Sequence, residues 1–340
     1  MRIPVIIISG FLGSGKTTLL LSLLKESAKR GLTPGVVMNE LGQRDVDGYI
    51  VQEHTGTAVQ KLLDGCICCS RKEELEQALV VLVRRRPDVI YIELTGVADP
   101  AEITGTLLQP SLRDWMAHRA TVTVVDAYHA LEYNSRLSAD KQLVRTLRSQ
   151  LATGDVIIVN KSDLVEQEVL WGIEKMIRKY NPRSDIVFTH YSTINLAPLL
   201  TGIIPKARVG SPVQRAPQTF TSAVPAPVAT ARAATAVSPS EERHDPSFSQ
   251  VAAVTLTFPA GDAQLDSHRL EAFFDQCGSS LLRAKGHVRI EGREAVQLVQ
   301  YAGERTHWED SSYPGAPYVV CIGMNLNEAQ LDVRWKALFG

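Results

Sequence analysis

Gly10-Phe11-Leu12-Gly13-Ser14-Gly15-Lys16-Thr17 decides the fold. The spacing G-x-x-x-x-G-K-[ST] is that of a phosphate-binding loop, and it stands where such a loop must, after the apolar run Ile3 to Ile8 and at the head of a leucine-lined helix. Glycines there let backbone N–H groups turn toward phosphate oxygens, a lysine reaches the outer phosphates, and a hydroxyl ligates Mg2+. On this basis Gly10, Gly13, Ser14, Gly15, Lys16, Thr17 and Thr18 are the expected nucleotide-binding residues, with Lys16 also catalytic and Thr17 on the Mg2+. A glycine-rich turn with no ligand is the bland alternative, and the strand before and helix after argue against it.

Working outward, short β-branched runs alternate with helical patterns from Met1 to about Pro205, the signature of a parallel sheet with crossover helices. Strands are expected near Ile3 to Ile8, Gly35 to Met38, Val89 to Ile92, Thr121 to Val125, Val156 to Val159 and Ile186 to Thr189. The clearest helix is Thr17 to Arg30, whose leucines at 19, 20, 23 and 24 line one face before Gly31 ends it. Seven of the seventeen prolines fall between Pro205 and Pro246, among Ala, Ser and Thr, so that stretch cannot bury enough surface to offset its ordering entropy. Beyond it the pattern predicts strands at Ala252 to Phe258, His287 to Glu291, Ala295 to Tyr301 and Tyr318 to Gly323. Helices are predicted at His268 to Cys277 and Leu326 to Phe339, the latter with Asn325 as N-cap and Glu328 as its N3 partner. The expected architecture is an α/β P-loop domain with a mostly parallel sheet (1–204), a Pro/Ala-rich linker (205–247) and a small α+β domain (248–340).

Composition narrows the function. A length of 340 residues fits two domains with sizeable cores. The 36 basic and 37 acidic residues leave a net charge of -1, which lacks the electrostatic footprint of a nucleic-acid binder. The apolar runs are far shorter than the ~20 residues of a membrane-spanning helix, and Met1-Arg2-Ile3-Pro4 does not open a signal peptide, so a cytoplasmic location is expected.

Asn160-Lys161-Ser162-Asp163 follows the apolar strand Val156 to Val159, the position of the guanine-reading loop in P-loop GTPases. Asp163 can accept from both the ring N–H and the exocyclic amine of guanine, whereas adenine would leave its carboxylate unsatisfied. Lys161 would lie along the base and Asn160 would brace the loop, which makes GTP the expected nucleotide. In Val89-Ile90-Tyr91-Ile92-Glu93-Leu94-Thr95-Gly96 a buried strand delivers an acidic residue and then a glycine to the ligand-gathering edge of the sheet. Glu93 is the expected second Mg2+ residue, acting through water, and Gly96 a γ-phosphate sensor. Glu40, in Asn39-Glu40-Leu41-Gly42, ends the second strand at the same edge; orienting the attacking water, reaching Mg2+ and completing a metal site are all open to it.

Gly65-Cys66-Ile67-Cys68-Cys69-Ser70 places three thiols before a helix that Ser70 and Glu73 would open as a capping box. A helix N-terminus favours anions, so these thiols ionise readily, and thiolates suit Zn2+ or Cu+. Cys66, Cys68 and Cys69 with Glu40 as fourth ligand would make a tetrahedral site; a redox pair and buried packing cysteines are the other readings. Cys66 also lies between the phosphate-loop helix and Glu93, where nucleotide-sensing switches reside, so metal affinity and nucleotide state would be coupled if the two states contact the metal differently.

Together these pieces resemble the CobW-like metal-chaperone GTPases, relatives of the UreG and HypB nickel-insertion GTPases. The resemblance is carried by Gly10 to Thr18, Asn39 to Gly42, the C-x-C-C at Cys66 to Cys69, Glu93 to Pro100, Val124-Val125-Asp126 and Asn160 to Asp163. In the second domain it is carried by Arg269 to Phe274 and Leu282 to Gly286. It implies GTP- and Mg2+-dependent delivery of zinc, with cobalt as the alternative cargo, to a client metalloprotein or cofactor-synthesis enzyme; it also allows a homodimer. Two departures stand out. Leu94 replaces a commoner threonine, and the stretch 205–246 holds only His244 where many members carry a histidine-rich segment, which favours a single thiolate site over metal storage. Unaided turnover is expected to be slow, of the order of minutes or longer per GTP. A small-molecule kinase and a metal buffer or redox sensor with structural nucleotide are the rival classes. His287 and His307 read as surface or packing residues, Arg84-Arg85-Arg86 as a solvated helix end, and Trp115, Trp171, Trp308 and Trp335 as packing.

Overall fold

The computed structural model describes residues 2–39, 59–62, 70–96, 98–134, 141–206, 251–302, 305–324 and 326–339. In the first part of the chain, β1 (Ile3–Gly10), β2 (Pro34–Asn39), β3 (Val59–Leu62), β4 (Val89–Glu93), β5 (Met116–Asp126), β6 (Val156–Asn160) and β7 (Asp185–Phe188) form one sheet. Its order is β3-β2-β4-β1-β5-β6-β7, with every neighbouring pair parallel. The helices are α1 (Lys16–Lys29), α2 (Ser70–Arg84), α3 (Pro100–Leu107), α4 (Ala130–Asn134), α5 (Lys141–Thr153), α6 (Gln167–Tyr180) and α7 (Ala197–Leu200).

The period of two in β1 explains how one strand serves two cores. Ile6 and Ile8 face α1, meeting Leu19, Leu20, Leu23 and Leu24, while Ile3, Val5 and Ile7 face the other way, onto Leu75, Leu79 and Leu82 of α2 and Ile103 and Leu107 of α3. Each such side chain contributes about 1.5–3 kcal/mol by leaving water. The fully buried Tyr91 adds a polar tie, its hydroxyl 2.7 Å from Ser27 Oγ on α1; burial pushes its pKa up to about 12, so it stays neutral. Because β1 is central and flanked by β4 and β5, the loops leaving all three meet at one edge.

The second part comprises β8 (Val251–Thr257), α8 (Ser267–Asp275), β9 (Leu281–Val288), β10 (Val296–Ala302), β11 (Arg305–Ser311), β12 (Tyr318–Met324) and α9 (Glu328–Lys336). The strands pair antiparallel in the order β11-β10-β9-β12-β8. One face, with Val254, Leu256, Val299, Val319 and Cys321, packs on Leu270, Phe273, Phe274, Leu331 and Trp335 of the helices. The opposite face presents Leu298, Tyr318, Val320 and Ile322, and these close over Phe11 and Leu12 of the phosphate loop.

Several sequence expectations are corrected. The strand expected at His287 to Glu291 runs instead from Leu281 to Val288, where Gly286 lies against the Tyr318 backbone too closely to admit a side chain. β11 reads as polar because it is the sheet's outer strand, with Arg305, Glu309 and Asp310 exposed, and the apolar pattern gives it no signature. The last helix is capped by Asn327, whose Oδ1 accepts from the Gln330 N–H at 3.0 Å, so the cap and its N3 partner are Asn327 and Gln330 rather than Asn325 and Glu328. α2 already includes Ser70, one residue earlier than the expected capping box. Trp335 is buried and Trp308 packs against the same cluster, but Trp115 and Trp171 are exposed; Trp171 falls off the face of α6 that buries Ile173, Met176 and Ile177. Arg84, Arg85 and Arg86 are exposed at a helix end, as their sequence suggests. No helix among the described residues is long and apolar enough to cross a membrane.

Candidate functional site

The phosphate loop is held in shape by what its glycines lack. Gly10 sits at φ +130° opposite Val124, and a β-carbon there would strike the Val124 carbonyl oxygen. Gly15, at φ +110°, is the left-handed residue that opens α1 without a side-chain cap, so the first-turn N–H groups of the helix remain for an anion. A β-carbon on Gly15 would run into Asn160 and come within 2.7 Å of Ser192 Oγ. Lys16 is buried, and its Nζ donates to the Phe11 carbonyl at 3.0 Å, so the loop curls around the ammonium. Ser14 Oγ is buried with no hydrogen-bond partner among the described residues. A cradle of glycines, an enclosed cation and an orphaned hydroxyl fit the phosphates of a nucleotide. Thr18, by contrast, is exposed.

Beneath the loop, Thr17 Oγ1 donates to Glu93 Oε1 at 2.9 Å. One oxygen comes from the first turn of α1 and the other from the end of β4, brought together because β1 and β4 are neighbours in register, Ile8 opposite Glu93. Hard oxygen donors so placed suit Mg2+, which takes one or two protein oxygens and fills its remaining positions with water and phosphate.

Gly96 follows Glu93 at the same edge. Its carbonyl accepts from Gln150 Nε2 at 3.2 Å, and so does that of Ala98. Gln150 is fully buried on α5, and its own carbonyl accepts from Thr123 Oγ1 at 2.8 Å. On its other side Gly96 abuts Leu12 so closely that a β-carbon would overlap the Leu12 backbone. The loop after β4 is therefore wedged between the phosphate loop and α5. Further along, Asp99 caps α3 through the Ala101 N–H at 3.0 Å and accepts from Ser149 Oγ at 2.8 Å.

At the base-reading end, Asn160 Nδ2 donates to the Ser14 carbonyl at 2.8 Å while its Oδ1 accepts from the Ser192 N–H at 2.8 Å. Ser192 Oγ in turn donates to the Gly15 carbonyl at 3.1 Å. Lys161 adopts a left-handed conformation, and its ammonium lies 2.6 Å from Asp126 Oδ2 at the end of β5. Asp163 is exposed on the following 3-10 turn, its carboxylate free of hydrogen bonds and ion pairs among the described residues. Sequence reasoning missed Ser192 and Gln150. The one signal at Ser192 is conformational, two successive non-glycine residues, Tyr191 and Ser192, at φ +50° and +51°.

Asn160→Ala would strand the Ser14 carbonyl and the Ser192 N–H, both buried. The expected loss is about 2–4 kcal/mol in urea unfolding, with weakened guanine-nucleotide binding. A variant as stable as the parent would show that the two Asn160 hydrogen bonds do not hold the loop in place.

Glu40, Cys66, Cys68 and Cys69 lie outside the described residues. The chain nevertheless enters that stretch beside the site, since Met38 is registered opposite Glu93. Among the described residues no group of three or more His, Cys, Asp and Glu is placed to hold a metal. Burial pushes the thiols of Cys277 and Cys321 up, which keeps them neutral and makes them packing residues. His287 is likewise enclosed, stacked 4.2 Å from the Tyr313 ring with Nδ1 3.0 Å from Ser311 Oγ, while His307 is exposed beside Glu309.

Comparison with known proteins gives two family matches: the CobW/HypB/UreG nucleotide-binding domain over residues 4–188 and the cobalamin synthesis protein cobW C-terminal domain over residues 254–339. The zinc-regulated GTPase metalloprotein activator 1 of Dictyostelium discoideum is 32% identical over 234 residues, 59% of this chain and 49% of that protein. The zinc chaperone CobW of Pseudomonas aeruginosa is 32% identical over 194 residues, 50% of this chain and 51% of that protein. The chain spans about half the length of the curated relatives it matches. Among solved structures, the Zn(II)-bound YjiA GTPase from E. coli aligns over 99% of both chains with 19% identity and a TM-score of 0.43. A phosphate loop closed by Asn160, an acidic partner for Thr17 and matches in both halves lead to one conclusion: the chain belongs to the CobW/HypB/UreG family.

Proposed function

We propose that the protein is a GTP-hydrolysing metallochaperone that binds Zn2+ through Cys66, Cys68 and Cys69, with Glu40 as fourth ligand, and hands it to a client metalloprotein in a nucleotide-dependent manner. The observation that carries the GTPase half is the Thr17–Glu93 pair beneath a glycine cradle whose neighbour is the Gly96 loop. Lys16 and the N–H groups of the loop hold the phosphates, and Asp163 reads guanine. Mg2+, when bound, supplies charge neutralisation between the outer phosphates. Gly96, wedged between Leu12 and Gln150, cannot shift without disturbing one of them, so occupancy of the outer phosphate position is felt in the loop that leads to α3. The zinc half rests on three cysteines within four residues of sequence, on the strand that leads to Glu40, whose Met38 is registered opposite Glu93, and on relatives named for zinc. Cobalt is the alternative cargo, and a cofactor-synthesis enzyme the alternative client.

The test is a competition titration of Zn2+ against a chromophoric chelator, with Mg2+ plus a non-hydrolysable GTP analogue and again with Mg2+ plus GDP. Tighter binding in the GTP state is expected, and replacing Cys66, Cys68 and Cys69 with serine is expected to abolish it. Differential affinity is required if nucleotide is to gate the metal. Equal affinities in the two states would point instead to a metal buffer whose nucleotide is structural.

A further inference from the structure

The second domain has no side chain among the expected nucleotide contacts, yet its inner sheet face lies directly on the phosphate loop. Phe11 and Leu12, the two residues after Gly10, are buried against Leu298 of β10 and Tyr318, Val320 and Ile322 of β12. Gly13 comes next, at φ +74°, and a β-carbon on it would lie 2.6 Å from the β-carbon of Ala302 at the end of β10. One further contact fixes the same approach: the Arg305 guanidinium of β11 sits 4.5 Å over the ring of Tyr128, while within the first domain the Phe11 ring packs 4.6 Å from Tyr133 of α4.

The carbonyl that Lys16 grips belongs to Phe11, whose side chain is buried in this contact. A loop with glycines at three of eight positions is costly to order. Here the cost is met before any nucleotide arrives, because Phe11 and Leu12 are anchored from outside and Gly13 is confined by a methyl group. We infer that Ala302 is a positioning residue for nucleotide binding, contributed by the second domain, and that the sheet face around it holds the phosphate loop in its binding shape. The inference rests on the nucleotide reading of the loop and extends it to a residue that touches no nucleotide. Its corollary follows from linkage: whatever draws the sheet away from Phe11 weakens nucleotide binding, and nucleotide weakens the binding of that agent by the same factor.

The experiment is a size series at Ala302 in the full chain, with Gly, Ser, Val and Leu. It is read by titration with a fluorescent GDP and by the melting temperature of the nucleotide-free protein. Ala302→Gly, which removes the methyl that confines Gly13, is expected to bind GDP more weakly than the parent, and Ala302→Ser, which keeps that carbon, to lose less than Ala302→Gly. Ala302→Val and Ala302→Leu are expected to bind progressively more weakly, reaching about ten-fold or more for leucine, at an unchanged nucleotide-free melting temperature. Parental affinity across the whole series overturns the inference. So does an affinity that falls only in step with the nucleotide-free melting temperature, since that is general destabilisation. If the unsubstituted chain itself fails to bind GDP, the nucleotide reading is overturned first and this inference with it.

Discussion

Lys16→Ala is expected to lower GTP turnover by about 10²- to 10³-fold while changing the stability of the nucleotide-free protein by no more than about 1 kcal/mol. The asymmetry follows from the structure. The ammonium makes a 3.0 Å bond to the Phe11 carbonyl, among its contacts, and is almost wholly buried, so its removal trades these contacts against relief from burying a charge. With nucleotide the same group would face the phosphates, where a positioned cation is worth far more than in water. Phosphate release by the purified variant at saturating GTP checks the first part and a urea titration the second. Hydrolysis at the parental rate would mean that the active site is elsewhere.

Gly10→Ala is expected to act in the opposite sense, destabilising the fold by about 3 kcal/mol or more. Two independent penalties coincide at this position. Its φ of +130° is one that side chains rarely adopt, and its β-carbon would occupy the place of the Val124 carbonyl oxygen across the β1–β5 pair. Relief would require β1 to separate from β5 at the centre of the sheet, where both cores meet. Gly202→Ala is the matched control, since Gly202 also has positive φ, at +77°, but has nothing within 4 Å of the added carbon. It should cost only the backbone strain, about 1–2 kcal/mol. Equal effects of the two substitutions in urea unfolding would show that strain alone, and not the Val124 contact, sets the cost.

The two glycine sites also illustrate what a sequence discloses. The placement of Gly10 to Thr17, Glu93 and Asn160 together at one edge of the sheet was legible because these residues follow apolar strands that lie side by side in it. Six of the seven strands in the first sheet were legible because buried parallel strands are continuous apolar runs; β3 (Val59–Leu62) was not, and β5 begins at Met116, five residues before the expected Thr121, because its start carries the exposed His118 and Arg119. β11 was not, since an outer strand carrying Arg305, Glu309 and Asp310 has no apolar alternation to read. Gln150 and Ser192 were not legible either. Each works through a contact far along the chain, Gln150 with Gly96 and Ser192 with Gly15, and neither belongs to a local pattern. Asn325 and Asn327 are equally good caps by type, and only the hydrogen bond to Gln330 decides between them.

The seating of Phe11 and Leu12 on β10 and β12 has a consequence for how the protein is made. The loop is synthesised roughly 300 residues before Tyr318 and Ile322, which cover it. At about 5–20 residues per second, a separation of roughly 300 residues corresponds to about 15–60 s of synthesis. Throughout that interval a nascent first domain carries two large apolar side chains on its outer surface beside an unfinished nucleotide cradle. The parallel sheet can thus form while the ribosome is still working, but the phosphate loop reaches its final packing only after β12 has left the exit tunnel.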